Sequence, residues 1–148
     1  MRTIPPIASV LLLLLSGAAL AQQQAAELPR TAAPEGAEVY IQSPEDGATV
    51  SSPVTVRFGL RGMGVAPAGV QFDNAGHHHL LIDVAELPPE NMPLPATEQV
   101  VHFGLGQTEA TIELEPGTHT LQLVLGDHLH VPHDPPVVSE VITITVTE

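Results

Sequence analysis

From residue 39 onward this chain is built of short runs in which apolar and polar residues alternate, separated by proline- and glycine-rich stretches. Alternation sends successive side chains to opposite faces of an extended backbone. Such runs form strands with a buried face and do not settle as helices of period 3.6. Most of the fifteen prolines and twelve glycines fall between the runs, where they make turns and block continuation of a ladder.

His119-Thr120-Leu121-Gln122-Leu123-Val124-Leu125 is the clearest strand, with its three leucines on one face. Val54 to Leu60 sets Val54, Val56, Phe58 and Leu60 against Thr55 and Arg57. In the run His78 to Val84, period two puts His78, Leu80, Ile82 and Val84 on one face and His77, His79, Leu81 and Asp83 on the other. Val39–Ile41, Val100–Phe103, Thr108–Leu114 and Val137–Val146 read as further strands. Ser43 to Gly47 is a turn, Arg61 to Asn74 a glycine-rich loop, and Leu87 to Pro95, with four prolines, excludes both helix and ladder. About seven short strands spaced in this way predict an all-β fold, a single immunoglobulin-like β-sandwich. With three Phe, one Tyr and no Trp, its core must be aliphatic.

Ahead of these runs, Arg2, the apolar stretch Ile7–Leu15 and the small residues Ala19-Leu20-Ala21 have the three-part layout of a secretory signal peptide. The expected organisation is a signal peptide over 1–21, a flexible leader rich in Ala, Gln, Glu and Pro over 22–38, and one domain over 39–148. The expected location is the periplasm, with no stable membrane insertion once the signal is removed. The chain carries seventeen acidic residues against four basic ones, a formal net charge of −13. A phosphate backbone repels such a surface, which speaks against nucleic-acid binding, whereas cations are drawn to it. There is no cysteine, hence no disulfide, no thiolate nucleophile and no blue-copper site.

The unusual chemistry lies in eight histidines. His77-His78-His79 opens one apolar run, and Asp127-His128-Leu129-His130-Val131-Pro132-His133-Asp134 follows another. An i,i+2 pair on a strand projects both rings to one side, so His77 and His79 can chelate together, and His128 and His130 share that spacing. If the two strands are antiparallel neighbours, both clusters fall at the same end of the sandwich. The metal ligands are then drawn from His77, His79, His128, His130 and His133, with Asp127 or Asp134 as oxygen donors or as hydrogen-bond partners of the ligands. Nitrogen and oxygen donors without sulfur suit copper(II) or zinc. His78 and His119 share faces with leucines and read as core histidines, while spacing does not place His102.

No phosphate loop, nucleophile elbow or His-Glu-x-x-His motif occurs, so the expectation is a non-enzymatic protein. It would bind a transition metal for sequestration or delivery, with an envelope protein as a possible partner. The competing expectation is a structural or interaction module of the cell envelope whose histidines only brace loops.

Three groups of segments carry a family likeness: Ser43–Ala48 with Phe58–Gly69, Gly76–Asp83 with His102–Gly104, and Gly106–Glu109 with Pro116–Leu123 and Gly126–Ser139. On them the chain resembles the DUF4399 family of exported bacterial proteins. The resemblance implies a compact exported domain and places the triple-His and Asp-His…His patterns at the family's site; it implies no reaction.

Overall fold

The computed structural model describes residues 28–148. The expected signal peptide and the first residues of the leader lie outside the described residues. Among the described residues there are nine strands and no helix, and thus no helix long and apolar enough to cross a membrane. The strands are β1 (Glu38–Ser43), β2 (Thr49–Ser51), β3 (Val54–Arg61), β4 (Gly64–Val65), β5 (Ala75–Ile82), β6 (Val100–His102), β7 (Glu109–Ile112), β8 (Gly117–Gly126) and β9 (Ile142–Thr147).

Two sheets share them. One has the order β1-β3-β7; the other runs β2-β9-β8-β5, with β4 and β6 both paired to β5. The count exceeds the expected seven because two very short strands escape a periodicity reading. β2 runs parallel to β9, and β4, inside the glycine-rich loop, runs parallel to β5.

Alternation produces the core. On β3, Val54, Val56 and Phe58 are buried while Thr55 and Arg57 face water. They meet Leu80 and Ile82 of β5, Leu121, Leu123 and Leu125 of β8, and Ile144 and Val146 of β9 between the two sheets. β5 is buried at all eight residues, because its second face is covered as well. There Leu81, Val100 and Val124 pack under Leu94 of the proline-rich segment. A strand covered on both sides loses the buried/exposed alternation that a one-sided strand shows.

Three boundaries differ from expectation, each for a local reason. β5 stops at Ile82 rather than Val84, because Asp83 adopts a left-handed φ of 55°. The Asp83 carboxylate then bonds back to β8, accepting from the Thr120 amide at 2.8 Å and meeting His119 Nδ1 at 2.7 Å. The closing run splits: Val137 and Ser139 pair with β8 through Leu125 and Leu123, and β9 begins only at Ile142. The end of the leader is docked rather than free. The Ala33 amide donates to the Asp134 carbonyl and the Asp134 amide to the Thr31 carbonyl, each at 2.9 Å.

Candidate metal centre

β5 and β8 are antiparallel neighbours, with His77 opposite Gly126. The start of one strand therefore lies beside the end of the other, and both histidine clusters fall at the same end of the fold. β6 adds a third contribution, since His102 pairs directly with His79 across the other edge of β5. Cross-strand partners place their side chains on the same face. The i,i+2 spacing of His77 and His79 and the pairing of His79 with His102 thus gather three rings on the outer face of the larger sheet.

His130 reaches them from the loop after β8. The four rings form a closed group: His77 lies 4.9 Å from His79, 5.0 Å from His102 and 5.0 Å from His130 between centroids. His102 lies 5.1 Å from His79 and 4.7 Å from His130, and His79 and His130 are 6.0 Å apart. One ring nitrogen from each of His77, His79 and His102 falls within 4.8 Å of the others, a group that can hold a metal ion. Metal–imidazole bonds of about 2.0–2.1 Å set tetrahedral nitrogens about 3.4 Å apart, so side-chain rotations of about an ångström close the site.

His77 and His79 are fully buried. Among the described residues, no ring nitrogen of His77 or His79, nor Nε2 of His102, has a hydrogen-bond partner of good geometry. A buried polar atom left unpaired costs about 1–3 kcal/mol; His78 and His133 carry further such atoms, but among the described residues only on His77, His79 and His102 do they share one cluster that could hold a metal ion. Burial first, then the neighbouring imidazoles His130 and His102, pushes His77 down to about 4, while the Asp127 carboxylate opposes that shift. His79 is pushed down to about 3, again by burial first and then by His77, His102 and His130. Burial and His130 lower His102. Neutral imidazoles are the form that binds metal.

Two glycines make room for the rings. A Cβ on Gly126 would stand 2.8 Å from His79 Cε1, and one on Gly104 would stand 2.3 Å from His102 Cε1. Both distances are below van der Waals contact.

Of the proposed ligands, the structure gathers His77, His79 and His130 and leaves the other four outside the ring group. His128 is half-buried in the loop, and its carbonyl accepts the Gly69 amide at 2.9 Å. His133 is buried on the His78 side of β5, beneath Gly76, where a Cβ would approach its Cε1 to 2.9 Å. Its Nδ1 lies 3.4 Å from the Leu125 carbonyl. Asp134 points to solvent and pairs with Arg30 at 3.6 Å. Asp127 is buried and organises the loop: its Oδ1 accepts the amides of Leu129 at 2.8 Å and Val131 at 3.0 Å.

The residue that spacing left unplaced is His102. The signal that finds it is strand pairing, which needs a register. His78 packs against Phe58 on the inner face, 5.1 Å between centroids, and burial holds it at about 4. His119 bonds through both ring nitrogens, to Asp83 and to the Glu115 carbonyl.

Fold and site together define an all-β protein with a buried, histidine-lined candidate metal centre on the outer face of one sheet. The family model described as Domain of unknown function (DUF4399) matches residues 56–147. That is more than half of the chain, which belongs to this family. No curated protein and no solved structure matches it.

Proposed function

We propose that this protein is an exported metal carrier of the periplasm. It holds one transition-metal ion, copper(II) or zinc, on His77, His79, His102 and His130 for sequestration or delivery rather than for chemistry. The observation that carries this reading is that buried, unpartnered ring nitrogens of His77, His79 and His102 lie within 4.8 Å of one another, with the His130 ring against His77 and His102. An all-imidazole donor set without sulfur suits these ions, and the general affinity order places copper(II) above zinc. The formal charge of −13 favours cation capture.

The ligands are unequal. His77 and His79 stand on a central, fully buried strand, whereas half-buried His102 is on a three-residue strand and half-buried His130 on a loop. Such an arrangement suits release through the His102–His130 side. The strand order also supports an immunoglobulin-like reading of the sandwich. The first segment divides between the sheets, as β1 and β2, and the second sheet sets the last two strands, β9 and β8, side by side next to the middle strand β5.

The test is calorimetric titration of untagged protein with copper(II) and with zinc, alongside elemental analysis after desalting. One-to-one binding that is lost in a His77→Gln, His102→Gln double variant supports the reading. If the wild-type protein retains no metal, the histidines are braces of an envelope module instead.

A further inference from the structure

Two segments far from it in sequence meet at the loop that carries His130, and the N-terminal one is joined to it through a single side-chain pair. Asp127 closes the loop on itself. Its amide donates to the Val131 carbonyl and its carbonyl accepts the His130 amide, each at 2.9 Å. Oδ1 is occupied by the Leu129 and Val131 amides. Oδ2 accepts the Thr31 hydroxyl at 2.7 Å. The loop is further held where the Leu94 amide donates to the His130 carbonyl at 2.8 Å.

His130 itself sits at φ 68°, in the left-handed region. A non-glycine residue stays there only when its surroundings dictate it. On either side of Thr31 the same N-terminal segment grips the strand of chain beyond the loop. Arg30 donates to the Pro132 carbonyl at 3.2 Å and to the His133 carbonyl, and it pairs with Glu90 at 3.1 Å.

We infer that the segment Arg30–Ala33 is a strap, and that Thr31, acting through Asp127, is the positioning residue that holds His130 as the fourth ligand. The inference rests on the proposed metal reading and deepens it. His77, His79 and His102 are placed by sheet pairing alone and need no strap. His130 does need one, because its loop is ordered by hydrogen bonds that converge on one buried carboxylate. A carboxylate whose second oxygen loses its donor is held only by the two loop amides on Oδ1 and pivots about that oxygen, and the pivot carries His130 away from the other rings.

The experiment compares copper(II) binding to wild-type protein and to Thr31→Val, Thr31→Ser, Asp127→Asn and His130→Gln variants. Affinity is read by competition titration and the number of bound nitrogens by electron paramagnetic resonance. The expected result is four nitrogens in wild type and three in Thr31→Val, Asp127→Asn and His130→Gln. Removing a partner that orients a ligand lowers metal affinity about 10–100-fold, and the hydroxyl of Thr31→Ser restores it. In a His130→Gln background, Thr31→Val costs nothing further, a non-additivity that a merely structural role does not produce. Should Asp127→Asn fail to fold, the Thr31 pair carries the comparison by itself. Wild-type spectrum and affinity in Thr31→Val overturn the inference while leaving the metal reading intact. A wild-type protein that takes up no copper(II) overturns both.

Discussion

Adding one methyl group at Gly126 tests whether the histidine cage is packed as described. The Cβ of Gly126→Ala would lie 2.8 Å from His79 Cε1, 3.2 Å from His79 Nδ1 and 3.3 Å from the His130 carbonyl carbon. Carbon atoms rest at about 3.5–4.0 Å, so His79 must retreat by most of an ångström. It has nowhere to go, being fully buried and enclosed by the rings of His77, His102 and His130. Overpacking of this kind costs about 1–3 kcal/mol. At about 4 °C per kcal/mol for a domain of this size, the melting temperature should fall by about 4–12 °C. Metal affinity should fall with it, because the displaced ring is one of the proposed ligands.

Gly104→Ala is the matched comparison. Its Cβ would come closer, 2.3 Å from His102 Cε1 and 2.7 Å from Nε2, but the half-buried His102 stands on an edge and can swing toward solvent. That variant should lose metal binding with little loss of stability. Calorimetry for melting and competition titration for copper(II) read both quantities. If Gly126→Ala melts like wild type and binds copper(II) as well, the His79 ring is not packed against Gly126 and the cage is wrong.

Acid should unfold the metal-free protein early. His77 and His78 are held at about 4 and His79 at about 3, below the unfolded value of about 6.5. The unfolded chain therefore binds more protons, and stability present above pH 6.5 is lost as the pH falls toward 4. Urea midpoints that stay constant from pH 7.5 to 5 would contradict this, and bound metal should move the loss to lower pH. His119 has the opposite sign: its hydrogen bond to Asp83 comes first among the causes that raise it. Its contribution is complete below pH 6.5 and disappears as pH rises through the raised folded value. The stability gap between wild type and Asp83→Asn, read by urea titration, should narrow from pH 6 to pH 9. Leu123→Ala, at a fully buried position of β8, should cost about 2–5 kcal/mol in a denaturant melt while one-to-one copper(II) binding persists under native conditions.

The fold was legible wherever one face of a strand meets water. Val54, Val56 and Phe58 against Thr55 and Arg57 announce β3 without any structure. β2 and β4 were not legible: two or three residues carry no period, and both gain their strand character from a parallel neighbour. The pairing of His77 with His79 follows from spacing alone. His128 and His130 have the same spacing, yet only His130 reaches the cluster, because the backbone there is a turn closed on Asp127 and His130 lies at φ 68°. Strand periodicity does not survive such a turn. Asp127 stands out in the sequence as a carboxylate among imidazoles, but what it binds is amide hydrogens and the Thr31 hydroxyl.

His102 shows what pairing adds to periodicity. By sequence it is a lone histidine ending a three-residue strand, about two dozen positions from the nearest cluster. Register places it opposite His79, so a lone residue becomes one member of a four-ring group. The same sheet face explains why the proline-rich segment exists. Without cover, the outer face of β5 and β8 would leave Leu81 and Val124 in water. Leu94 and Val100 close over that face, and a segment with four prolines in Leu87–Pro95 brings few amide hydrogens that need partners. One amide it does bring, that of Leu94, is bonded to the His130 carbonyl. The segment that covers Leu81 and Val124 is thus also bonded to the loop that supplies the His130 ring. Closure of this apolar face and placement of the His130 ring are therefore tied at one backbone hydrogen bond.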